Sequence, residues 1–435
     1  MSEDAEGGEH QEVEQPPLLG APRTPLPELI TNVEALAIAI DQLSRGEGDI
    51  ALDAERASGY RYSQRAYLVQ IFRRNGGLHL IDPAAFAQEE LRQIFAPLNT
   101  IIQSATSVIH ASSQDLPCLR ELGLEPKSLF DTELAARIAG FPRVGLGALT
   151  ESLLNLRLAK EHSAVDWSIR PLHHDWLIYA ALDVDVLLDL KDEIVRVLHE
   201  RNKLQWALEE SAAALTMTTS SPRREPWRKT SGIHQVKRLE QLALVRELWS
   251  ARDQLARDRD IAAGRILNDR AIISCALKTP TSVAQLAGIP AFKKDATHWW
   301  SALEKARANP TVPKPPPSEG PPAHIRVWRE RAPIAYARLT HAKARLRLVA
   351  EEVELPVENL LSPEIVRRFC WQDPPRGGRS DGQVREFLQE RGARSWQIAL
   401  TAPLLREIES EIEPLVFADE EAQSTAESGD VSDLS

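Results

Sequence analysis

The sequence predicts an α/β domain of about 190 residues, then two small all-α modules, between acidic ends. Three observations carry this. Short apolar runs alternate with helical patterns up to about residue 130, and helical periodicity then continues to residue 215. Two later helical blocks share a pattern at an offset of 94 residues. Polar or proline-rich stretches separate the blocks.

Residues 1–25 are acidic and rich in Gly and Pro, which predicts a disordered tail. Thr31 and Glu34 have capping-box spacing. Val33, Leu36, Ala37, Ile40 and Leu43 then keep a helical period, which Gly46 and Gly48 end. Ile50–Glu55 reads as a strand. Tyr67–Phe72 and Leu78–Ile81 read as a hairpin through Asn75-Gly76-Gly77. Ser107–Ala111 reads as a further strand with a helix after it. The domain is placed at 26–217, with a basic linker at 218–232. A helical module follows at 233–310, a proline-rich linker at 311–324 and a second module at 325–412. An acidic tail, expected to be disordered, fills 413–435. Between the modules, Ala256 aligns with Ala350, Asp260 with Glu354, Ile266-Leu267 with Leu360-Leu361 and Ile272 with Val366.

The chain has 435 residues, and 43% of them are hydrophobic. No run approaches the roughly 18–20 apolar residues of a membrane span, and the N-terminus has no secretory-signal pattern. Cys118, Cys275 and Cys370 lie far apart with no CxxC pair, which points to a reduced, cytoplasmic protein. The net charge of −11 is unevenly spread. Residues 1–20 carry −6 and 409–435 carry −9, whereas 221–350 carry +14. A basic block of that size attracts polyanions, nucleic acid above all, although it also suits a solvated helix surface.

Candidate chemistry begins at "IALDAE" (50–55). Strand side chains alternate, so Asp53 and Glu55 share a face. Two carboxylates there repel, and a divalent cation between them relieves that. They also suit the exposed end of an edge strand. In "SVIHASSQDLPCLRELG" (107–123), Asp115 falls in the first turn of a helix. There it can be a ligand, or part of a Ser112-x-x-Asp115 cap. In "WLIYAALDVDVLLDL" (176–190), Tyr179 and Asp183 are four apart on one helix face, and Asp185 points elsewhere. Lys160, Trp167 and Arg170 can touch phosphate or base, or can order a turn; Trp299 and Trp300 can stack a base or fill a core. His110, His173 and His174 have no ligand spacing and read as structural or exposed.

D-x-E, then D, then Y-x-x-x-D resembles the DEDD superfamily of 3′–5′ exonucleases, in its tyrosine subclass. "LFDTELAARIAGF" (129–141), "VGLGALTESLLNLRL" (144–158) and "DWSIRPLHHDWLIYAALDVDVLLDL" (166–190) look like ribonuclease D. The helical modules resemble its HRDC domains. "DAERASGYRYSQRAYLVQI" (53–71) departs from the commoner family form at Ala54, where threonine is usual, and resembles the branch from high-GC Gram-positive bacteria. The resemblance spans about residues 26–412. It implies a ribonuclease H-like exonuclease domain, a mixed sheet flanked by helices. It also implies Asp53, Glu55, Asp115 and Asp183 as ligands of two Mg²⁺ or Mn²⁺ ions, with Tyr179 aiming the attacking water. The implied substrate is RNA with structured 3′ ends, transfer RNA precursors especially, cut to 5′-mononucleotides. Rival readings are a DNA exonuclease and a decayed nucleic-acid scaffold. With no Gly-Lys dipeptide there is no G-x-x-x-x-G-K-[ST] loop, so ATP-driven unwinding is excluded.

Overall fold

The computed structural model describes residues 15–159, 165–216, 225–313, 320–375 and 378–429. Lys160 and residues 1–14 lie outside them, as do residues 218–224 of the basic linker and part of the proline-rich one.

In chain order the elements are β1 (Leu18–Leu19), β2 (Leu29–Ile30), α1 (Val33–Ser44), β3 (Glu47–Arg56), β4 (Ala66–Arg74), β5 (Gly77–Ile81) and α2 (Leu91–Gln103). β6 (Thr106–Ile109), α3 (Leu116–Glu121), β7 (Ser128–Asp131), α4 (Thr132–Ala139), α5 (Leu146–Leu154) and β8 (Arg157–Leu158) follow. Then come α6 (His174–Asp185), α7 (Leu187–Glu200) and α8 (Leu204–Thr216). A six-stranded mixed sheet has the order β2-β5-β4-β3-β6-β7. β3, β4 and β5 form an antiparallel meander, while β2, β6 and β7 pair in parallel. The β4–β5 turn uses Asn75 and Gly77 at φ 60° and 85°. A Cβ on Gly76 would sit 3.2 Å from Cα of Leu43, so this turn packs directly on the end of α1.

β3 has helices on both faces. Ala51 and Ala57 join the core under α6 and α7, whereas Ile50, Leu52 and Ala54 join the core under α1, α2 and α3. Asp53 and Glu55 have the parity of Ala51, so they face α6. The edge-strand reading of these acids therefore does not hold, because β3 is interior to the sheet.

Several expectations are corrected. Asn32, not Thr31, caps α1, and its side chain accepts from Ala35 N. Ser128–Asp131 is a strand where a helical pattern was expected to begin, because four residues are too few to show alternation. Residues 15–25 are ordered. β1 pairs with β8, and Arg23 binds buried Asp185 and, beyond it, Asp189. The partners lie about 140–160 residues away, which no local pattern reveals.

The first helical module contains α9 (Leu239–Arg259), α10 (Ala263–Ile266), α11 (Asp269–Lys278), α12 (Val283–Ala287) and α13 (Ala296–Ala308). Residues 225–232, expected to be linker, pack on it through buried Trp227. The second contains α14 (Ile325–Arg331), α15 (Pro333–Glu352), α16 (Val357–Leu360), α17 (Pro363–Trp371), α18 (Asp381–Glu390) and α19 (Ser395–Gly429). α19 is helical over 413–429, where a disordered tail was expected. The repeat is real. α15, α16 and α17 each begin 94 residues after α9, α10 and α11. Asp260 and Glu354 both take a left-handed backbone, φ 46° and 48°, at the corner after the long helix.

The modules attach differently. The first has its own core. The second shares one apolar core with the α6–α7 side of the sheet, and Trp206 stacks on Trp396 at 4.8 Å. At the corners, Asp260 accepts from Ser63 N at 2.8 Å, and Glu354 binds Arg201 at 2.6 Å.

Candidate active site

Three of the predicted residues come together tightly. Carboxylate oxygens of Asp53, Glu55 and Asp183 lie within 4.8 Å of one another. β3 supplies two, and α6, packed across it, supplies the third. Asp115 is outside that tight group but lines the same cavity of about 480 Å³, with Asp53, Glu55, Tyr179 and Asp183. Its capping reading fails. α3 begins at Leu116, and Asp115 makes no cap hydrogen bond with its side chain. The Ser112 hydroxyl makes none either. The buried Asp115 carboxyl instead feels Asp53 and Asp183 as neighbours.

Electrostatics follows from the crowding. Burial pushes the Asp53 carboxyl up to about 6, offset in part by the Ala54 backbone N–H and Arg56. Burial raises Glu55 well above the usual range, and Asp53, Asp183 and Asp115 raise it further. Burial and then Asp53 do the same to Asp183, while the Tyr179 hydroxyl donates to it and opposes the rise. The tyrosine itself is raised, by burial first and then by Asp183, Glu55 and Asp53. It therefore stays protonated near neutrality and works as a donor, not a base.

Buried carboxylates that repel fit a hard divalent cation. The cluster offers oxygen donors without His or Cys, the set suited to Mg²⁺ or Mn²⁺ and not to zinc or copper. This has a measurable consequence. An acid raised in the folded state keeps its proton longer there than in the unfolded chain. Its contribution to stability therefore falls as pH rises through the folded value. In EDTA, Asp53→Asn should raise the melting temperature at pH 8 by roughly 2–5 °C, and the gain should shrink towards pH 5. Excess Mg²⁺ should stabilise the unsubstituted protein more than the variant. Scanning calorimetry checks both, and a lower melting temperature for the metal-free variant at pH 8 would contradict the repulsion.

Some supporting residues lie outside the predicted site. Asp131 ends β7 and caps α4 through Glu133 N and Leu134 N. It also accepts from Ala111 N and Ser112 N, at 3.3 and 2.8 Å. That holds Ala111 at φ 57°, the turn that swings the chain from β6 to Asp115. An acid at a strand end before a helical run was the available signal. His110 binds Thr132 through Nδ1 at 2.9 Å and lines the cavity. Arg56, Gln114 and Tyr60 also line it. Trp167 is fully buried, and Arg170 is spent on Asp82 in a two-pronged ion pair at 2.6 Å, so both order the structure. Trp299 is core, and Trp300 bonds Glu304 under the Arg307 guanidinium.

Comparison with known proteins is consistent along the chain. The 3′–5′ exonuclease family matches residues 27–199, and the HRDC domain matches 241–297. The 3′ to 5′ exonuclease C-terminal domain matches 320–408. Ribonuclease D of Acidiphilium cryptum is 30% identical over 400 residues, 88% of this chain and 96% of that one. The chain belongs to the ribonuclease D family. Membership makes it a 3′–5′ exoribonuclease, and divalent-metal use comes with the exonuclease fold. A crystal structure of a protein from Bifidobacterium adolescentis is 38% identical with a TM-score of 0.81, covering 91% of this chain and 100% of that one. Escherichia coli RNase D, described as an exoribonuclease involved in structured RNA processing, shares the fold: TM-score 0.62, 24% identity, 88% of this chain and 98% of that one. The second module thus matches the 3′ to 5′ exonuclease C-terminal domain, where an HRDC-like domain was expected, and the first matches HRDC.

Proposed function

We propose that this chain removes 5′-mononucleotides one at a time from the 3′ ends of structured RNA, transfer RNA precursors among them. The observation that carries the reading is the acid pair of β3 facing Tyr179 and Asp183 of α6 in one cavity. Asp53, Glu55, Asp115 and Asp183 would hold two divalent cations, Mg²⁺ or Mn²⁺. Such ions, when bound, generate hydroxide near neutral pH and offset charge on the attacking and leaving oxygens. Tyr179, kept protonated, orients the attacking water through its hydroxyl. Glu55 accepts from the terminal 3′-hydroxyl, which makes the reaction start at an end.

The substrate units divide the electrostatic work. Residues 21–220 sum to −8, whereas 221–350 sum to +14. Exposed Lys237, Lys293 and Lys294 on the first module and Arg329, Arg331, Lys343 and Arg347 on the second can hold an RNA body by its phosphates. The units would then run over 15–216, 225–310 and 325–412, since β1 pairs with β8 and Trp227 packs on the first module. Among the described residues no helix is long and apolar enough to cross a membrane. The three buried free thiols suit a reducing compartment, and we place the protein in the cytoplasm.

Incubation of 3′-extended transfer RNA and a matched single-stranded DNA with Mn²⁺, Mg²⁺ or EDTA tests the reading. Stepwise shortening of the RNA, abolished by EDTA, is expected. A 3′-phosphate should block the reaction, because Glu55 then meets a charged group in place of a donor. Rapid cutting of circular RNA would exclude exonucleolytic action, and preference for the DNA would favour the rival substrate.

A further inference from the structure

The loop joining β3 to β4 leaves the acid cluster directly. A register shift separates Glu55 from Arg56, so that Glu55 pairs with Leu68 but Arg56 with Ala66. Tyr67 is the extra residue, and its hydroxyl reaches Asp260 of the first helical module at 3.4 Å. Bulges beside active sites commonly re-aim a chain in this way. Ser58, Gly59 and Tyr60 of the loop then line the catalytic cavity.

Much of what holds this loop comes from the α9–α10 corner of the module. Ala262 N donates to the Tyr60 carbonyl at 2.9 Å. Arg265 Nε donates to the Gly59 carbonyl at 2.7 Å, and its guanidinium covers the Tyr60 ring at 4.0 Å from the centroid. Tyr62 donates to Asp253 at 3.1 Å and accepts from Arg257 at 3.2 Å. Fixing a loop of this length at the rim costs conformational entropy, which these anchors offset.

We propose that the first helical module completes the active site, with Arg265 as a positioning residue that holds Tyr60 as the packing surface for the nucleobase on the 5′ side of the scissile phosphate. The 3′-terminal nucleotide occupies the acid cluster, and the remaining strand leaves past the rim. Tyr60 is half-buried and lines that rim. An aromatic ring there takes any base, as exonucleolytic progress along a mixed sequence requires. Arginine suits the role beyond its charge. Its Cζ sits over the ring while Nε–H binds the carbonyl before it, a pairing that lysine cannot reproduce.

The inference rests on the exoribonuclease reading. The test is a double-mutant cycle in the full-length protein, with a pentaribonucleotide too short to reach the outer basic surface. kcat and KM are measured for Tyr60→Ala, Arg265→Ala and the double variant, with Arg265→Lys as the conservative exchange. Each alanine variant should lower kcat/KM about tenfold, mainly through KM. The double variant should lose no more than Tyr60→Ala alone, because both substitutions remove one surface. Arg265→Lys should recover only part. Arg265 is exposed, so its variants should melt with the unsubstituted protein. Additive losses, an unaffected Arg265→Ala enzyme, or a loss confined to kcat would each overturn the proposal. Failure of the unsubstituted protein to shorten the pentamer would instead overturn the functional reading.

Discussion

Purified Asp53→Asn protein should cleave RNA at least roughly 10³-fold more slowly while folding normally. This carboxylate would help hold ions that supply several kcal/mol of transition-state stabilisation, and each 1.36 kcal/mol is a tenfold change in rate. Asparagine keeps the shape and one oxygen but removes the charge. Its neighbours Glu55 and Asp183 then face each other across a weaker ligand set. RNA binding should persist or tighten, since one negative charge fewer faces the phosphate. Single-turnover cleavage and filter binding on the same preparation check both halves. Activity near that of the unsubstituted protein would remove Asp53 from the metal assignment.

Tyr179→Phe should cost roughly 10²–10³ in turnover, the scale of one oriented catalytic hydrogen bond. The ring and its packing remain, and only the hydroxyl that donates to Asp183 is lost. Metal affinity should change little, because tyrosine is not among the clustered ligands. The pH profile separates two roles. A tyrosine raised above its ordinary value cannot supply a basic limb near neutrality, so the variant should be slow at every pH without a change in profile shape. An unchanged single-turnover rate would mean that Tyr179 only packs.

The sequence exposed the parts of this site that local periodicity controls. Alternation put Asp53 and Glu55 on one face, and helical spacing put Tyr179 and Asp183 together, before any fold was known. The 94-residue offset of the modules was visible in apolar positions alone. Asp115 was different. Its local context equally suited a cap, and only the order of motifs argued for a ligand. The grip of Asp131 on the Ala111 turn was hidden, because it links residues from neighbouring strands. So was the Arg265–Tyr60 contact, which joins two units about 200 residues apart. β1 escaped notice for the same reason: Leu18–Leu19 becomes a strand only when Arg157–Leu158 lies beside it.

The left-handed corners at Asp260 and Glu354 carry an implication for how the architecture was assembled. Each lies at a contact of its module with the exonuclease domain, yet the surfaces they meet are unrelated: the β3–β4 loop in one case, the Arg201–Lys203 region in the other. One backbone corner, a left-handed turn on an acid, thus serves as the same plug in two different sockets. One module is a discrete body held by polar contacts beside the catalytic mouth, and the other shares its interior with the exonuclease domain. The two modules are thus hinged to one host by the same joint, a shared backbone twist on an acidic residue.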